Sequence, residues 1–443
     1  MIRKFVNRER ELKFLNDEKN KSKFVVIYGR RRVGKSELIK EFFKNKPSIY
    51  ILAPEGEESI QLEYLTQEIA KYFNEIPPRI DSWSIFIDYL GKKLLENQIY
   101  ISFDEFPFLI EKNKSILSYF QRLVDEYLIK SNSMIILSGS SISMMENEVL
   151  GYKSPIYGRR SGQIDLEPFN FNEVKKLFET SVENQIIAYS IFSGIPMYSS
   201  FYNSNKSIEE NIASEILDKH SFLNKEPEFI LRQELREPSK YKSILRAIGN
   251  GKTTPNEIIQ FTKIPSNTLS KYLEQLIQLR LIKKEHPVTD SQNTKKSKYY
   301  LSDNLFKFWF KFIEPNQSEI ENNFEEFLKY EIMPSLSEYT SFVFEDIARE
   351  FVVNMKSFGK VGRWWFKENE IDIVGLNKRE NKILFGEVKW QENVDGKKIL
   401  HKLQEKSKLV TWGEQNRTEE YILFAKSFKN KPHGVKCITL DDL

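Results

Sequence analysis

Cysteine is nearly absent. Cys437 is the only one, so no intrachain disulfide can form, and the sequence fits a reducing compartment, the cytoplasm. Histidine is scarce as well, and four imidazoles with one thiol do not make up the usual ligand set of a structural zinc site. No apolar run approaches the roughly 20 residues that span a bilayer, so no membrane association is expected. The opening Met1-Ile2-Arg3-Lys4-Phe5-Val6 has none of the long apolar stretch of a secretory signal. Excess charge of one sign is missing too: 67 Lys+Arg face 63 Asp+Glu, a net +4 over 443 residues. There is no internal repeat and no low-complexity tract. What remains is an ordinary globular composition, 40% hydrophobic and 29% charged, long enough for roughly two to four domains with cores of their own.

The balanced total hides a local imbalance. Residues 239–300 hold 12 Lys/Arg against 4 Asp/Glu, and residues 301–338 hold 3 against 8. A basic segment beside an acidic one suits a localised anion-binding face, or simply a solvated lysine surface, and charge alone does not choose.

Gly29-Arg30-Arg31-Arg32-Val33-Gly34-Lys35-Ser36 matches G-x-x-x-x-G-K-[ST] in full. Phe24–Tyr28 before it reads as a buried strand, and Glu37–Phe43 after it as a helix. A glycine loop turns backbone N–H groups inward, and the helix N-terminus adds partial positive charge where phosphates sit. Residues 29–37, Glu37 included, therefore form a candidate ATP cradle. Lys35 would reach the β/γ-phosphates and Ser36 would ligate Mg²⁺. The apolar run Ile99-Tyr100-Ile101-Ser102-Phe103 ends in Asp104-Glu105, which suits a magnesium-holding acid followed by a general base for the attacking water. Met134–Ser140 is a third buried strand. Lying between the other two, it would bring Ser138 or Ser140 to the γ-phosphate. Arg159 and Arg160 are candidates for neutralising transition-state charge. Which of them acts, and whether across an interface in an oligomer, stays open.

These features together resemble the archaeal-type ATPases, members of the signal-transduction (STAND) group of P-loop NTPases related to the AAA+ class. Phe5-Val6-Asn7-Arg8-Glu9-Arg10-Glu11-Leu12 is similar to that family's F-x-x-R-E-x-E-L opening. Phe106-Pro107 follows the acidic strand, Tyr157-Gly158-Arg159 precedes Leu166-Glu167-Pro168-Phe169, and Gly194-Ile195-Pro196 gives the group's Gly-x-Pro. The resemblance implies Asn7 and Arg8 near the base or ribose, Pro196 against the nucleotide, and a winged helix next in the chain.

The organisation expected from periodicity is α/β throughout. A parallel sheet with strands at 24–28, 48–52, 99–103, 134–138 and 163–166 alternates with helices at 36–44, 58–73, 82–96 and 115–130, with a break at Pro77-Pro78. This P-loop ATPase core and its helical extension would occupy 1–204. Residues 205–300 would hold a helical segment and a winged-helix domain. Thr254, Pro255 and Glu257 make a capped helix start there. Leu269, Leu273, Leu276 and Leu279 mark one face of a following helix, and a hairpin pairs 281–286 with 298–301. Ser266–Leu279 would enter the major groove of duplex DNA, with Lys295, Lys296 and Lys298 on phosphates. Residues 301–338 read as a helical connector.

The last domain, 339–443, begins with a helix and continues with strands near 361–367, 370–376 and 382–389. Asp372 lies 15 residues before Glu387, and Lys389 shares a strand face with Glu387. Two hard oxygen ligands with an ammonium beside them suit Mg²⁺, and Glu345 can add a third carboxylate. The pattern resembles the PD-(D/E)xK nuclease superfamily, with Trp364-Trp365, Glu370-Ile371-Asp372 and Gly386-Glu387-Val388-Lys389-Trp390 carrying the likeness. That resemblance implies a restriction-endonuclease-like fold. Glu345, Asp372, Glu387 and Lys389 would then carry phosphodiester hydrolysis, assisted by Gln404. Two readings follow. One is an ATPase coupled to DNA binding and Mg²⁺-dependent cleavage. The other is an ATP-dependent regulatory switch whose nuclease-like module binds without cutting.

Overall fold

The computed structural model describes residues 5–17, 23–291, 294, 296–413 and 416–443. Lys295 falls outside them. The chain divides into two compact units, residues 1–168 and 169–443.

In the first unit the elements are α1 (Glu9–Asn16), β1 (Lys23–Tyr28), α2 (Lys35–Phe43), β2 (Ser48–Leu52), α3 (Glu58–Tyr72), α4 (Trp83–Glu96), β3 (Tyr100–Asp104), α5 (Ile116–Glu126), β4 (Met134–Gly139) and β5 (Gly162–Asp165). The five strands form one parallel sheet in the order β2-β3-β4-β1-β5. Every residue of β1 is buried, because helices cover both faces of the sheet. Phe24 and Val26 join a core with Ile51, Phe103, Leu65 and Phe86, while Val25 and Ile27 join another with Leu38, Ile39 and Phe42. This alternation is the period of two expected of a strand. Pro77-Pro78 lies between α3 and α4, where neither helix needs an N–H.

The second unit contains α6 (Val182–Phe192), α7 (Pro238–Gly249), α8 (Pro255–Thr262), α9 (Ser266–Gln278), the antiparallel pair β6 (Ile282–Glu285) and β7 (Lys298–Leu301), and α10 (Met333–Asn354). It continues with β8 (Lys360–Phe366), β9 (Asn369–Asn377), β10 (Lys382–Lys389), β11 (Val394–Asp395), α11 (Gly396–Ser407), β12 (Thr418–Ala425), β13 (Phe428–Asn430) and β14 (Lys436–Ile438). Thr254 and Glu257 close a reciprocal capping box on α8. A mixed five-stranded sheet runs β14-β12-β10-β9-β8, antiparallel from β8 to β10 and parallel from β10 to β14. Val343, Phe344 and Ile347 of α10 pack on Ile373, Leu384 and Phe424. Leu403 of α11 packs on the opposite face with Ile371, Phe385 and Leu423.

Two boundaries differ from those read in the sequence. Residues 169–204 group with the second unit. The stretch taken as a connector is part of that unit's core, with Leu305, Phe306, Phe308, Trp309, Phe310 and Phe312 all buried. The physical reason is the C-terminal end of α6. The Tyr189 carbonyl accepts from Asn304 Nδ2 at 3.0 Å and the Ser190 carbonyl accepts from Tyr339 Oη at 2.7 Å. Six of the eight acidic residues in 301–338 are exposed around this aromatic interior, while Asp303 and Glu314 are buried in it.

Candidate functional site

Two constellations stand out, one in each unit. In the first, the turn between β1 and α2 is shaped by backbone geometry only glycine accepts easily. Gly29 has φ 151°, and a Cβ there would lie 2.3 Å from the Leu166 carbonyl oxygen; Gly34 has φ 98°. Lys35 is buried and donates to the carbonyls of Gly29 and Arg30 at 3.0 and 3.1 Å, so its ammonium is folded into the cradle. Asn7 and Arg8 both take positive φ. The Arg8 guanidinium donates to the carbonyls of Val33 (3.3 Å) and Glu167 (2.6 Å), which ties the opening motif to the loop.

Asp104 is the hub of this site. Its carboxylate accepts from Ser36 Oγ at 2.6 Å, Ser138 Oγ at 2.6 Å, the Glu105 amide at 3.0 Å and the Tyr50 hydroxyl. Burial pushes its pKa up, but the hydroxyl donors outweigh burial and hold the group below the ordinary carboxylate range. Burial and the bond to Asp104 raise the Tyr50 phenol. Glu105 sits at φ 51°, a left-handed backbone that costs a non-glycine residue of order 1 kcal/mol or more. Its carboxylate accepts from Ser140 Oγ at 2.9 Å and the Ser140 amide at 3.2 Å. The two candidate sensor serines are thus divided: Ser138 serves Asp104 and Ser140 serves Glu105. Arg159 is paired with Asp125 of α5 at 2.9 Å, and Arg160 stacks on Tyr157. Pro196 opens the short helix Pro196–Ser199 in the second unit.

The second constellation forms where β9 and β10 part. Their last paired residues are Ile373 and Gly386. One position further on, Asp372 Oδ2 accepts from the Val388 amide at 2.9 Å, a ladder donor that the departing strand would otherwise leave unpaired. Glu387 is buried and accepts from Lys389 Nζ at 2.8 Å and from Lys406 Nζ of α11 at 3.1 Å. Burial and the Glu387 charge push Asp372 up to about 6. Burial and the Asp372 charge push Glu345 up to about 7. Burial pulls Lys389 down, but Glu387 and Asp372 more than offset it and its pKa is raised. Glu345 is held by Arg363 Nη2 at 2.9 Å, and Arg349 donates to the Asp372 carbonyl at 3.1 Å. The four side chains picked from sequence therefore sit within electrostatic reach of one another. Among the described residues, however, no three carboxylate, imidazole or thiol side chains converge as ligands for one metal ion. Gln404 makes only a backbone contact here, its carbonyl accepting from Ser407.

Sequence reading missed Tyr50, Arg363 and Lys406. Tyr50 is brought in only by the pairing of β2 with β3. Lys406 is one lysine among several on α11. Arg363 alone gave a signal, a charged residue inside a run that otherwise reads as an apolar strand.

Comparison with known proteins adds the following. Residues 5–198 match a family model described as an ATPase domain predominantly from Archaea. Residues 309–399 match one described as archaeal and bacterial proteins of unknown function. The chain is 37% identical over 453 residues to the uncharacterized protein MJECL04 of Methanocaldococcus jannaschii, covering 99% of both. A 44-residue segment is 54% identical to an uncharacterized ATP-binding protein of the same organism, covering 10% of this chain and 75% of that protein. Among solved structures, the Walker-type ATPase PABY2304 of Pyrococcus abyssi shares the fold at TM-score 0.51 and 22% identity, over 69% of this chain and 96% of that one.

Proposed function

We propose, from the premise that the chain belongs to the family of the M. jannaschii protein MJECL04 and carries an archaeal ATPase domain in its first half, that ATP turnover in the first unit governs phosphodiester cleavage of nucleic acid by the second. In the first unit Lys35 and the loop amides hold the phosphates, Ser36 and Asp104 are the magnesium residues, and Glu105 orients the attacking water. Asn7 and Arg8 border the nucleotide. Arg159 and Arg160 are available for transition-state charge once released from Asp125 and Tyr157.

The observation that carries the second half of the proposal is the placement of Asp372 opposite Glu387 at the opening of two strands, with Lys389 beside them. Two carboxylates that repel each other suit Mg²⁺, which binds through one or two carboxylates and keeps its waters. Bound there, the ion would polarise a phosphate and lower the pKa of a water. Lys389 would orient that water, and Glu345, held by Arg363, would stay out of the ion's first ring of ligands. On this reading the mixed sheet and the helices packed on it serve as a PD-(D/E)xK nuclease-like domain. On the same reading the α7–α8–α9 helices with the β6–β7 hairpin serve as a winged helix; Ser266, Asn267, Thr268 and Lys271 of α9 are exposed and would face nucleic acid.

The test is plasmid cutting in Mg²⁺, with and without ATP, by wild type, Asp372→Ala and Lys389→Ala. Cutting lost in both variants supports the proposal, and equal cutting by all three means contamination. A parallel assay of ATP turnover in Glu105→Gln is expected to show a loss of about 10²-fold or more, with nucleotide binding kept. A second reading, a nucleotide-dependent switch with a non-cleaving module, is favoured by one feature: Glu387 is already neutralised by both Lys389 and Lys406. No cutting of plasmid or of single-stranded DNA by any of the three proteins supports that reading.

A further inference from the structure

The approach to Asp372 is a cleft of about 740 Å³, lined among others by Lys298, Tyr300, Lys311, Phe342, Glu345 and Asp372. Its outer wall is the β6–β7 hairpin, and that wall is fixed. Beyond β6, Val288 is buried in one core with Trp364 and Ile371 of the sheet. The Val288 amide donates to the Arg363 carbonyl at 2.9 Å, and Lys360 Nζ donates back to the Val288 carbonyl at 2.6 Å. Gly362 leaves no slack, since a Cβ there would lie 3.2 Å from Val288. Lys298 of β7 is anchored to Glu370 at 3.4 Å and lies over the Trp365 ring.

A cleft of this volume is in the range of about 300–1,000 Å³ that encloses a ligand of a few rings. A duplex keeps its bases paired and stacked, so none is free to enter it, whereas a single strand can splay one in. The lining has the two parts a single strand needs, cations for the backbone and an aromatic face for a base. Lys298, Lys311, Lys406 and Arg363 supply the cations. Phe342 supplies the face: it projects from α10 at 51% exposure, one turn before Glu345, with Lys311 Nζ 5.8 Å from its ring centroid. About half of this side chain is left open where it lines the cleft. Arg363 adds a second, independent observation. It is only 8% exposed, donates to Glu345 through Nη2 and lies 4.8 Å from the Tyr300 ring, yet its Nε has no acceptor among the described residues.

We infer that the strand admitted to the Asp372 site is single-stranded nucleic acid, with one base stacked on Phe342 and its backbone carried on Lys298, Lys311 and Lys406. The inference rests on the nucleic-acid reading of the second unit and names its substrate class. Stacking is tolerant of base identity, because every base has a π face, so no strong sequence preference accompanies it.

The experiment uses the full chain and labelled 20-mers in three forms: single-stranded, blunt duplex, and forked duplex with unpaired ends. Binding is read by anisotropy without Mg²⁺, and cutting is read on gels with Mg²⁺. The single strand and the fork are expected to bind about tenfold more tightly than the blunt duplex. Phe342→Ala is expected to weaken single-strand binding about tenfold and to leave duplex binding unchanged, and Phe342→Trp is expected to restore it. Phe342 is exposed enough for both variants to fold. Equal binding and cutting of blunt duplex and single strand overturns the inference and leaves the nuclease reading standing. Single-strand binding that depends on Phe342, with no cutting of any form, supports the inference and removes the nuclease reading. Single-strand binding unaffected by Phe342→Ala, or no binding at all, overturns the inference.

Discussion

Asp104 and Asp372 are both aspartates on core strands, and they are held in opposite ways. Asp104 is surrounded by neutral donors from Ser36, Ser138, Tyr50 and the following amide, and its pKa falls. Asp372 has one backbone donor and a second carboxylate facing it, and its pKa rises to about 6. The first site is a finished anion, organised before any ligand arrives. The second stores repulsion between like charges, restrained by lysines and arginines from three other elements. Hydroxyl donors of fixed geometry suit a site that must recognise one nucleotide. Mobile ammonium groups suit a site that exchanges a protein counter-charge for a cation and a polyanion.

Four measurements bear on that contrast. The largest effect is expected from Lys35→Ala. Removing the buried ammonium of a preorganised phosphate cradle should cut ATP turnover by at least about 100-fold, and undiminished turnover would sink the assignment of this site. Asp346→Asn comes next. This carboxylate gathers Lys283 at 3.3 Å, Lys307 at 2.9 Å and Arg349, joining β6 to α10. Removing the charge that holds Lys307, and that Lys283 and Arg349 share with Glu285 and Glu345, should cost about 2 kcal/mol of stability, a shift of about 30-fold in the unfolding constant, read by urea denaturation. If stability is unchanged, charge does not hold the second unit together as described.

The third measurement is salt dependence. With three phosphate contacts and a slope of about −0.7 each, single-strand affinity should fall about 20-fold between 50 and 200 mM salt. ATP binding in the first unit, where loop amides and hydroxyls share the load with a buried Lys35 that salt screens less, should fall less. Equal salt slopes for the two ligands would erase the contrast. The smallest effect is expected in the capping box of α8, where Thr254 repeats the Asp104 pattern on a surface helix. Its hydroxyl and amide lower the Glu257 pKa. A depressed carboxylate contributes stability above its ordinary pKa, and that contribution is lost as pH falls through the folded-state value. Thr254→Ala should therefore cost about 1 kcal/mol at pH 7, and the gap from wild type should narrow below about pH 4. A gap that is constant with pH would mean the carboxylate takes no part in the cap.

Much of this was readable in the chain. The phosphate loop, the Asp104-Glu105 strand end and the capping box depend on residues within a few positions of one another, and local spacing decides them. The five strands of the first sheet and β8, β9 and β10 of the second were legible because buried β-rich runs are short, apolar and bounded by polar turns, whereas the three-residue edge strand β14 was not read. The burial of 301–338 was not legible because its partners are distant in sequence: Asn304 donates to the Tyr189 carbonyl, Trp309 to the Asn224 carbonyl, and Phe310 packs on Gly249.

By itself the sequence determined a nucleotide-binding core and the cast of a second acidic site. The motif chemistry of Gly29–Ser36 and the alternation of Glu387 with Lys389 follow from backbone geometry that neighbouring residues share. Only the tertiary structure decided what those acids experience. Strand order brings Tyr50 and Ser138 to Asp104, and the parting of β9 from β10 turns Asp372 toward the Val388 amide. The docked hairpin narrows the way in and leaves Phe342 exposed inside it. Those are relations between distant segments, fixed by which apolar faces must be buried together, and no local pattern of residues records them.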